Sequence, residues 1–353
     1  MFIYDERIQF WSFRLNQSLI FVELTDQESV HPPDTWQEPP QQPFFGLLGQ
    51  FHKLKQAGKR FCLTLSIGGW TWSKHFSDAV SSQESRDMLA TSIVHYVQKY
   101  PIFNGINVDW EYLSNNGLNN GLEGNSARKE DARNFIAFVE TLRKAQRAQG
   151  LDLGISMCLP GSASKAQFPI KEVIDMLDEV HIMTYDFASS SWGGSTTTHQ
   201  TNLRKSRHTS GSVEEAVKFY IDAGVPREKI LIGATFYSRG FANTDGLGCL
   251  GSGVVADKSW EDGICDYKSL PRAGATEHWD AESQAGYSFD PVKRTFNSYD
   301  TVDSIRAKCQ YVKEQGLKGI IVWESSGDFP INHPRSLTRV LHEELVKPYG
   351  LSE

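Results

Sequence analysis

The sequence predicts an α/β fold built on a parallel sheet. Short β-rich runs alternate with longer amphipathic stretches, as strands joined by helical crossovers do. Every strand-like run but the last is followed by a crossover or an excursion. A chain of 353 residues buries a large core, enough for one (β/α)8 barrel with an insertion or for two ordinary domains.

The strand-like runs, in order, are Ser18–Leu24, Phe61–Ile67, Gly105–Trp110, Leu151–Cys158, Glu179–Tyr185, Ile230–Phe236 and Gly319–Trp323. Helical periodicity lies between them at Glu84–Tyr100, Lys129–Gln149, Pro169–Leu177, Ser212–Ala223 and Thr301–Gln315. Ser212-Val-Glu-Glu reads as an N-cap with an acidic first turn, and Ala223-Gly224 ends that helix. A closed barrel needs an eighth strand. Residues 1–17 are too short for a strand, a loop and a full helix. Either the first strand is compressed into Met1–Tyr4 or Gln9–Phe13, or the start is trimmed or altered, which is the favoured reading. Pro32, Pro33, Pro39, Pro40 and Pro43 mark an early surface loop. From Ala242 to Thr295 the chain is rich in Gly, Asp, Ser and aromatics with little helical period, too long for a plain loop. It reads as a small β-containing insertion after the seventh strand.

The net charge of −7 argues against nucleic acid or an anionic membrane as the main partner, and is compatible with a neutral polymer. Apolar runs such as Ser18–Val22 and Gly319–Trp323 fall far short of a bilayer span. The N-terminus lacks a basic segment followed by an apolar one. Of the five cysteines, Cys62, Cys158 and Cys309 sit in segments that read as buried strand or helix. Cys249 and Cys265 share a Gly-rich stretch and are the one candidate disulfide pair.

Strand geometry singles out the residues that carry chemistry. Side chains two apart share a face, so Asn107, Asp109 and Glu111 form one row and Ile106, Val108 and Trp110 the other. The apolar row suits packing on helices, and the polar row points inward. Two acids in an inward row are costly unless paired or placed at a barrel mouth, where such enzymes keep their sites. The bland alternative is a structural ion-pair network. A metal site fits worse, because the row has two carboxylates and no nearby His. Ser66-Ile-Gly-Gly-Trp70, Met183-Thr-Tyr-Asp-Phe187, Phe236-Tyr-Ser-Arg-Gly240 and Trp323 end other strands. Aromatic faces stack on sugar rings, while carboxylate, phenol and guanidinium groups bind hydroxyls and amides. No phosphate-binding glycine loop stands in a strand-to-helix setting.

These residues resemble the glycoside hydrolase family 18 chitinases over about Ser18 to Asp328. The most specific element is Asn104-Gly-Ile-Asn107-Val-Asp109-Trp-Glu111, similar to the family's Asp-Gly-x-Asp-x-Asp-Trp-Glu, and the other strand ends follow in the family's order. The segment Phe296-Asn-Ser-Tyr-Asp300 also looks like the family's. The resemblance implies a (β/α)8 barrel over residues 1–241 and 296–353, with 242–295 as an α+β insertion domain walling a deep groove. It implies retaining, substrate-assisted hydrolysis of β-1,4-linked N-acetylglucosamine, an exception to the two-carboxylate scheme. Glu111 is expected to be the acid. Asp109 is expected to hold the acetamido N–H, and Tyr185 to orient the acetamido oxygen. Trp323 would floor the subsite, with Met183, Asp186, Tyr237 and Arg239 as its walls and Trp70 as support or a neighbouring subsite. The expected partner is chitin or a chitooligosaccharide bound by a monomer, with no metal, cofactor, nucleic acid or membrane; the family expectation is secretion.

Two positions depart from the family's motif. Asn104 replaces its first Asp, far from the chemistry. Asn107 replaces its second, so Asp109 is expected to have a neutral hydrogen-bond partner and to ionise more readily than one of two close carboxylates. This keeps a catalytically impaired, lectin-like binder as one alternative; an endo-β-N-acetylglucosaminidase is another.

Overall fold

The computed structural model describes residues 10–15, 18–23, 46–59, 61–70, 72–113, 125–190, 196–255, 259 and 261–346. The Pro-rich segment and Met1–Tyr4 lie outside them. The chain divides into two compact units, one centred on residues 23–160 and the other on 181–353.

In the first unit, β3 (Cys62–Gly68), β4 (Gly105–Asp109) and β5 (Gly154–Pro160) are parallel neighbours, and Asn107 is in register with Ser66 on one side and Ser156 on the other. The early strand is present at Phe10–Leu15 (β1), overlapping the Gln9–Phe13 candidate, but it pairs antiparallel to β3. A further strand, β2, spans Ser18–Glu23 and falls largely with the second unit. Helix α1 (Gly46–Gln56), not read from the sequence although Leu47, Phe51 and Leu54 recur at helical spacing, precedes β3. Then come α2 (Phe76–Ala79) and α3 (Gln83–Lys99), the latter opened by a reciprocal Ser82–Ser85 capping box. Helix α4 (Asp131–Ala148) buries Ala132, Phe135, Phe138, Val139 and Leu142, which recur at helical spacing. Helix α5 is Ile170–Asp175.

In the second unit, β6 ends at Met183 (Glu179–Met183), and β7 (Ile230–Thr235) pairs parallel with β12 (Gly319–Trp323). All six residues of β7 are buried, so it reads as a run of apolar and small residues rather than an alternation. Ser212 caps α6 (Val213–Asp222) by accepting from Glu215 N–H, and Gly224 takes a left-handed φ of 90° just past its end. Helix α7 (Val302–Gln315) opens on a Thr301–Ser304 capping box and closes on Gly316 at φ 64°. A last short helix, α8, spans Leu337–Leu341.

The interval read as an insertion contributes β9 (Thr276–Asp280) and β10 (Ala285–Asp290) to a four-stranded antiparallel sheet in the order β8-β11-β10-β9, completed by β8 (Arg239–Phe241) and β11 (Thr295–Tyr299). The sheet draws β8 and most of β11 from just outside 242–295. The expected Cys249–Cys265 disulfide is absent. Cys249 is held in a turn by Thr197, whereas Cys265 is buried with its N–H on Ser238 Oγ, so each has its own setting.

Candidate active site

Strand β4 does what its alternation predicts. Trp110, 1% exposed, stacks on Phe76 of α2 at 5.2 Å and meets Phe135 of α4 edge-on at 6.4 Å. Burying such a side chain stabilises by roughly 2–3 kcal/mol, which fixes the strand's rotation. The opposite row, Asn107, Asp109 and Glu111, is then buried too, at 0%, 5% and 8% exposure.

Asn107 is fully engaged. Its Nδ2 donates to Ser66 Oγ at 2.7 Å and to Cys158 Sγ at 3.4 Å, and its Oδ1 accepts from Ser156 Oγ at 2.9 Å. Ser66 and Ser156 are its register neighbours on β3 and β5 and Cys158 lies two residues past Ser156, and the expected bond from Asn107 to Asp109 is replaced by these three. The Asp109 carboxyl is instead pushed up to about 7, by burial above all, with a hydrogen bond from Cys158 acting the other way. Desolvation sets the direction of this shift, whatever relief a neutral neighbour gives. Asp109 Oδ1 is buried without a hydrogen-bond partner among the described residues.

Glu111 is anchored through its backbone. Its N–H donates to Ser73 Oγ at 2.8 Å, and its carbonyl accepts from Asn125 Nδ2 at 2.8 Å. Ser73 Oγ also lies 2.8 Å from Gly69 O and 3.1 Å from Asp109 O. The paired glycines are needed here. Gly68 has φ 112°, and a Cβ on it would lie 2.1 Å from Asp109 O, while Gly69 N–H donates to that same oxygen at 2.7 Å. Trp70 is 36% exposed, and Lys165 Nζ lies 5.8 Å from its ring centre and 4.9 Å from that of Tyr112. Asn104 is structural: its Oδ1 accepts from Leu63 N–H and Lys55 Nζ.

The second unit gathers the other expected residues. Met183 is buried at the end of β6. Tyr185 lies against Gly233, where a Cβ would come within 2.5 Å of its ring, and packs on Leu231 and Ile321. Asp186, at a left-handed φ of 55°, is gripped by Arg239 (Nε to Oδ1 2.7 Å, Nη2 to Oδ2 2.8 Å) and accepts from Tyr237 Oη at 2.8 Å. Left-handed backbone costs a non-glycine residue about 1–2 kcal/mol, and this charge-assisted fork offsets it. Burial works against the Arg239 charge, but Asp186 holds the guanidinium above its ordinary value; burial first, then Asp186, pushes the Tyr237 hydroxyl well up. Arg239 Nη1 also reaches Glu261 at 2.8 Å. Trp323, half-buried, ends β12 in register with Thr235, and its carbonyl accepts from Phe236 N–H at 2.7 Å.

Ser66, Ser73, Asn125, Ser156, Cys158 and Glu261 were not singled out in the sequence as site residues. For two of them a signal was present: Ser156 and Cys158 alternate along β5 as Asn107 and Asp109 do along β4. Among the described residues no group of three or more His, Cys, Asp or Glu side chains is arranged to hold a metal.

The family model for glycosyl hydrolases family 18 matches residues 8–328. The chain belongs to this family. Endochitinase 1 of Metarhizium robertsii is 35% identical over 86% of the family 18 chain and 70% of its own length, and Chitinase A1 of Niallia circulans 31% identical over 84% and 44%. Among solved structures, chitinase ChiA74 from Bacillus thuringiensis superposes with a TM-score of 0.75 at 29% identity, over 86% of this chain and 53% of its own. A family 18 N-acetylglucosaminidase from Paenibacillus barengoltzii gives a TM-score of 0.72 at 31% identity, over 86% and 87%. This chain thus spans about half the length of the ChiA74 chain, and nearly all of the N-acetylglucosaminidase. The fold class is the α/β TIM barrel that the sequence predicted.

Proposed function

We propose that this family 18 chain is a chitinase that hydrolyses β-1,4-linked N-acetylglucosamine with retention, by substrate assistance. The observation that carries this reading is the buried Asp109, with one carboxylate oxygen unpartnered among the described residues, two positions before Glu111 on the inward face of β4. A carboxylate so placed accepts the acetamido N–H of a sugar and stabilises the positive oxazolinium-like charge that forms next. Glu111 protonates the glycosidic oxygen while the substrate's acetamido oxygen attacks the anomeric carbon. Glu111 then takes a proton from the water that opens the ring intermediate. Tyr185 orients the acetamido oxygen, and Trp323 floors the subsite. Met183 and the Asp186–Tyr237–Arg239 cluster shape its walls, with Asn107 supporting Asp109 from behind. The half-exposed Trp70 offers an aromatic face to a neighbouring sugar.

In this reading residues 242–295 form the insertion domain of a barrel built from 1–241 and 296–353, and wall a groove suited to endo attack. The substrate is extracellular chitin or a chitooligosaccharide, and the enzyme works as a secreted monomer. Among the described residues, no helix is long and apolar enough to cross a membrane. The 31% identity to the Paenibacillus N-acetylglucosaminidase is what favours a second reading, removal of single N-acetylglucosamine units from chain ends. Time-resolved product analysis on colloidal chitin and on a labelled chitohexaose separates the two: internal cleavage gives dimers to tetramers first, end cleavage gives monomer from the outset. No release of reducing ends from either substrate overturns the enzymatic reading and favours a lectin-like binder.

A further inference from the structure

Strand β5 sets a second polar row beside the acidic one. Ser156 is in register with Asn107, and Cys158 lies two residues further along the same face. Both are buried, at 3% and 5% exposure. The Asn107 amide orders them. It accepts from Ser156 Oγ at 2.9 Å and donates to Cys158 Sγ at 3.4 Å, so the sulfur's lone pair is engaged and its S–H is directed elsewhere. Asp109 follows Asn107 by two residues on β4 as Cys158 follows Ser156 on β5, so strand register sets its carboxylate beside the thiol, and a hydrogen bond from Cys158 acts to lower the Asp109 carboxyl. The result is a directed chain from the Ser156 hydroxyl through the Asn107 amide and the Cys158 thiol to Asp109, whose Oδ1 has no partner among the described residues.

We propose that Cys158 is a positioning residue for the hydrolytic reaction, its thiol donating to the Asp109 carboxylate and holding that group so that Oδ1 faces the substrate's acetamido N–H. This rests on the role given to Asp109 above. The thiol serves as a donor and not as a nucleophile: burial, then the charges of Asp109 and Glu111, push its ionisation well up, so it stays S–H across the working range. The ionisable groups that bear on the pair are Asp109, Glu111 and the thiol itself. A donor to the ionised form favours it, so loss of the thiol raises the pH at which Asp109 gives up its proton.

The test compares pH–rate profiles, kcat and KM for the parent, Cys158→Val (near in volume, no donor), Cys158→Ala and Cys158→Ser on a soluble chitooligosaccharide, with Asp109→Asn alongside and circular dichroism as a folding control. Cys158→Val and Cys158→Ala are expected to lower kcat about tenfold with little change in KM, the scale of one lost hydrogen bond to a charged group, and to move the acid limb to higher pH. Cys158→Ser, with a stronger donor, is expected to recover the rate and return the limb to the parent position or below it. An acid limb unmoved in a folded Val or Ala variant, or a Ser variant as impaired as they are, overturns the proposal. Should either non-donor variant fail to fold, the other and the Ser variant decide it. Parent-like activity in Asp109→Asn instead overturns the underlying reading of the site, and the proposal with it.

Discussion

Arg239 holds Asp186 by both carboxylate oxygens, Nε to Oδ1 at 2.7 Å and Nη2 to Oδ2 at 2.8 Å, and it does so from a position with only 8% exposure. A planar fork matched to a carboxylate is not reproduced by an ammonium group. Arg239→Lys is therefore expected to release Asp186 from its left-handed backbone position and to lower kcat/KM about tenfold or more, since hydrogen bonds to charged groups are each worth roughly 1.5–3 kcal/mol. Steady-state kinetics on a chitooligosaccharide check this. Parent-like kcat/KM in the Lys variant removes the fork from the subsite.

Replacing the acid tests the centre of the mechanism. Glu111→Gln keeps the size of the side chain but cannot deliver a proton, and a positioned general acid is worth about 10²–10⁴-fold. The expected outcome is a loss of kcat in that range with substrate affinity retained. Binding is measured by isothermal titration with an unhydrolysed oligosaccharide. A Gln variant with undiminished kcat rules Glu111 out as the acid.

Under the proposed mechanism the titration of Asp109 is expected to set the acid side of the pH profile. With its carboxyl raised to about 7 by burial, activity is expected to climb as pH passes upward through that region, because the ionised form binds the acetamido N–H. Asn107→Asp restores a second carboxyl beside it. The two then titrate as a coupled pair in place of a single carboxyl, and the acid limb is expected to move from the parent's position. An Asp variant whose profile and rate coincide with the parent's refutes this account of Asn107.

A fourth expectation concerns stability. Lys308 and Asp300 are both fully buried and 2.7 Å apart. Lys308 also donates to Thr201 Oγ1 and to the carbonyl of Gly233, the residue on which Tyr185 rests, while Asp300 accepts from Thr235 N–H. Burial lowers the Lys308 proton affinity, and the Asp300 charge opposes that. Lys308→Met strands a buried carboxylate and is expected to cost about 3–5 kcal/mol, read as a drop in the urea midpoint. Lys308→Met with Asp300→Asn is expected to recover part of it. Equal midpoints for the single variant and the parent would show that the pair contributes nothing net.

Much of this was legible in the sequence because it follows from period. The two-residue alternation of β4 separated Trp110 from Asp109, and the packing of Trp110 on Phe76 and Phe135 is the physical form of that alternation. Ser212 and Gly224 marked the ends of their helix because capping is local chemistry. What escaped reading is lateral. The partners of Asn107 are separated from it by 41 residues at Ser66 and 51 at Cys158, and only strand register brings them together. The same holds for β1, whose antiparallel pairing with β3 leaves no mark on its own composition. The Cys249–Cys265 expectation failed for a related reason: nearness in a Gly-rich stretch says nothing of where each thiol is anchored.

The hydroxyl of Ser73 moors the backbone of Glu111. It takes up the N–H of Glu111 while lying within hydrogen-bond distance of two carbonyls, those of Gly69 and Asp109. The acid's attachment point is thus fixed by a turn that precedes it by 38 residues. Anyone grafting the Asn104–Glu111 segment onto another barrel would transplant the carboxyl without its mooring. A transferable unit has to include the glycine pair and Ser73, so the smallest portable piece around Glu111 is two adjacent parallel strands with the turn that follows the first, not one strand.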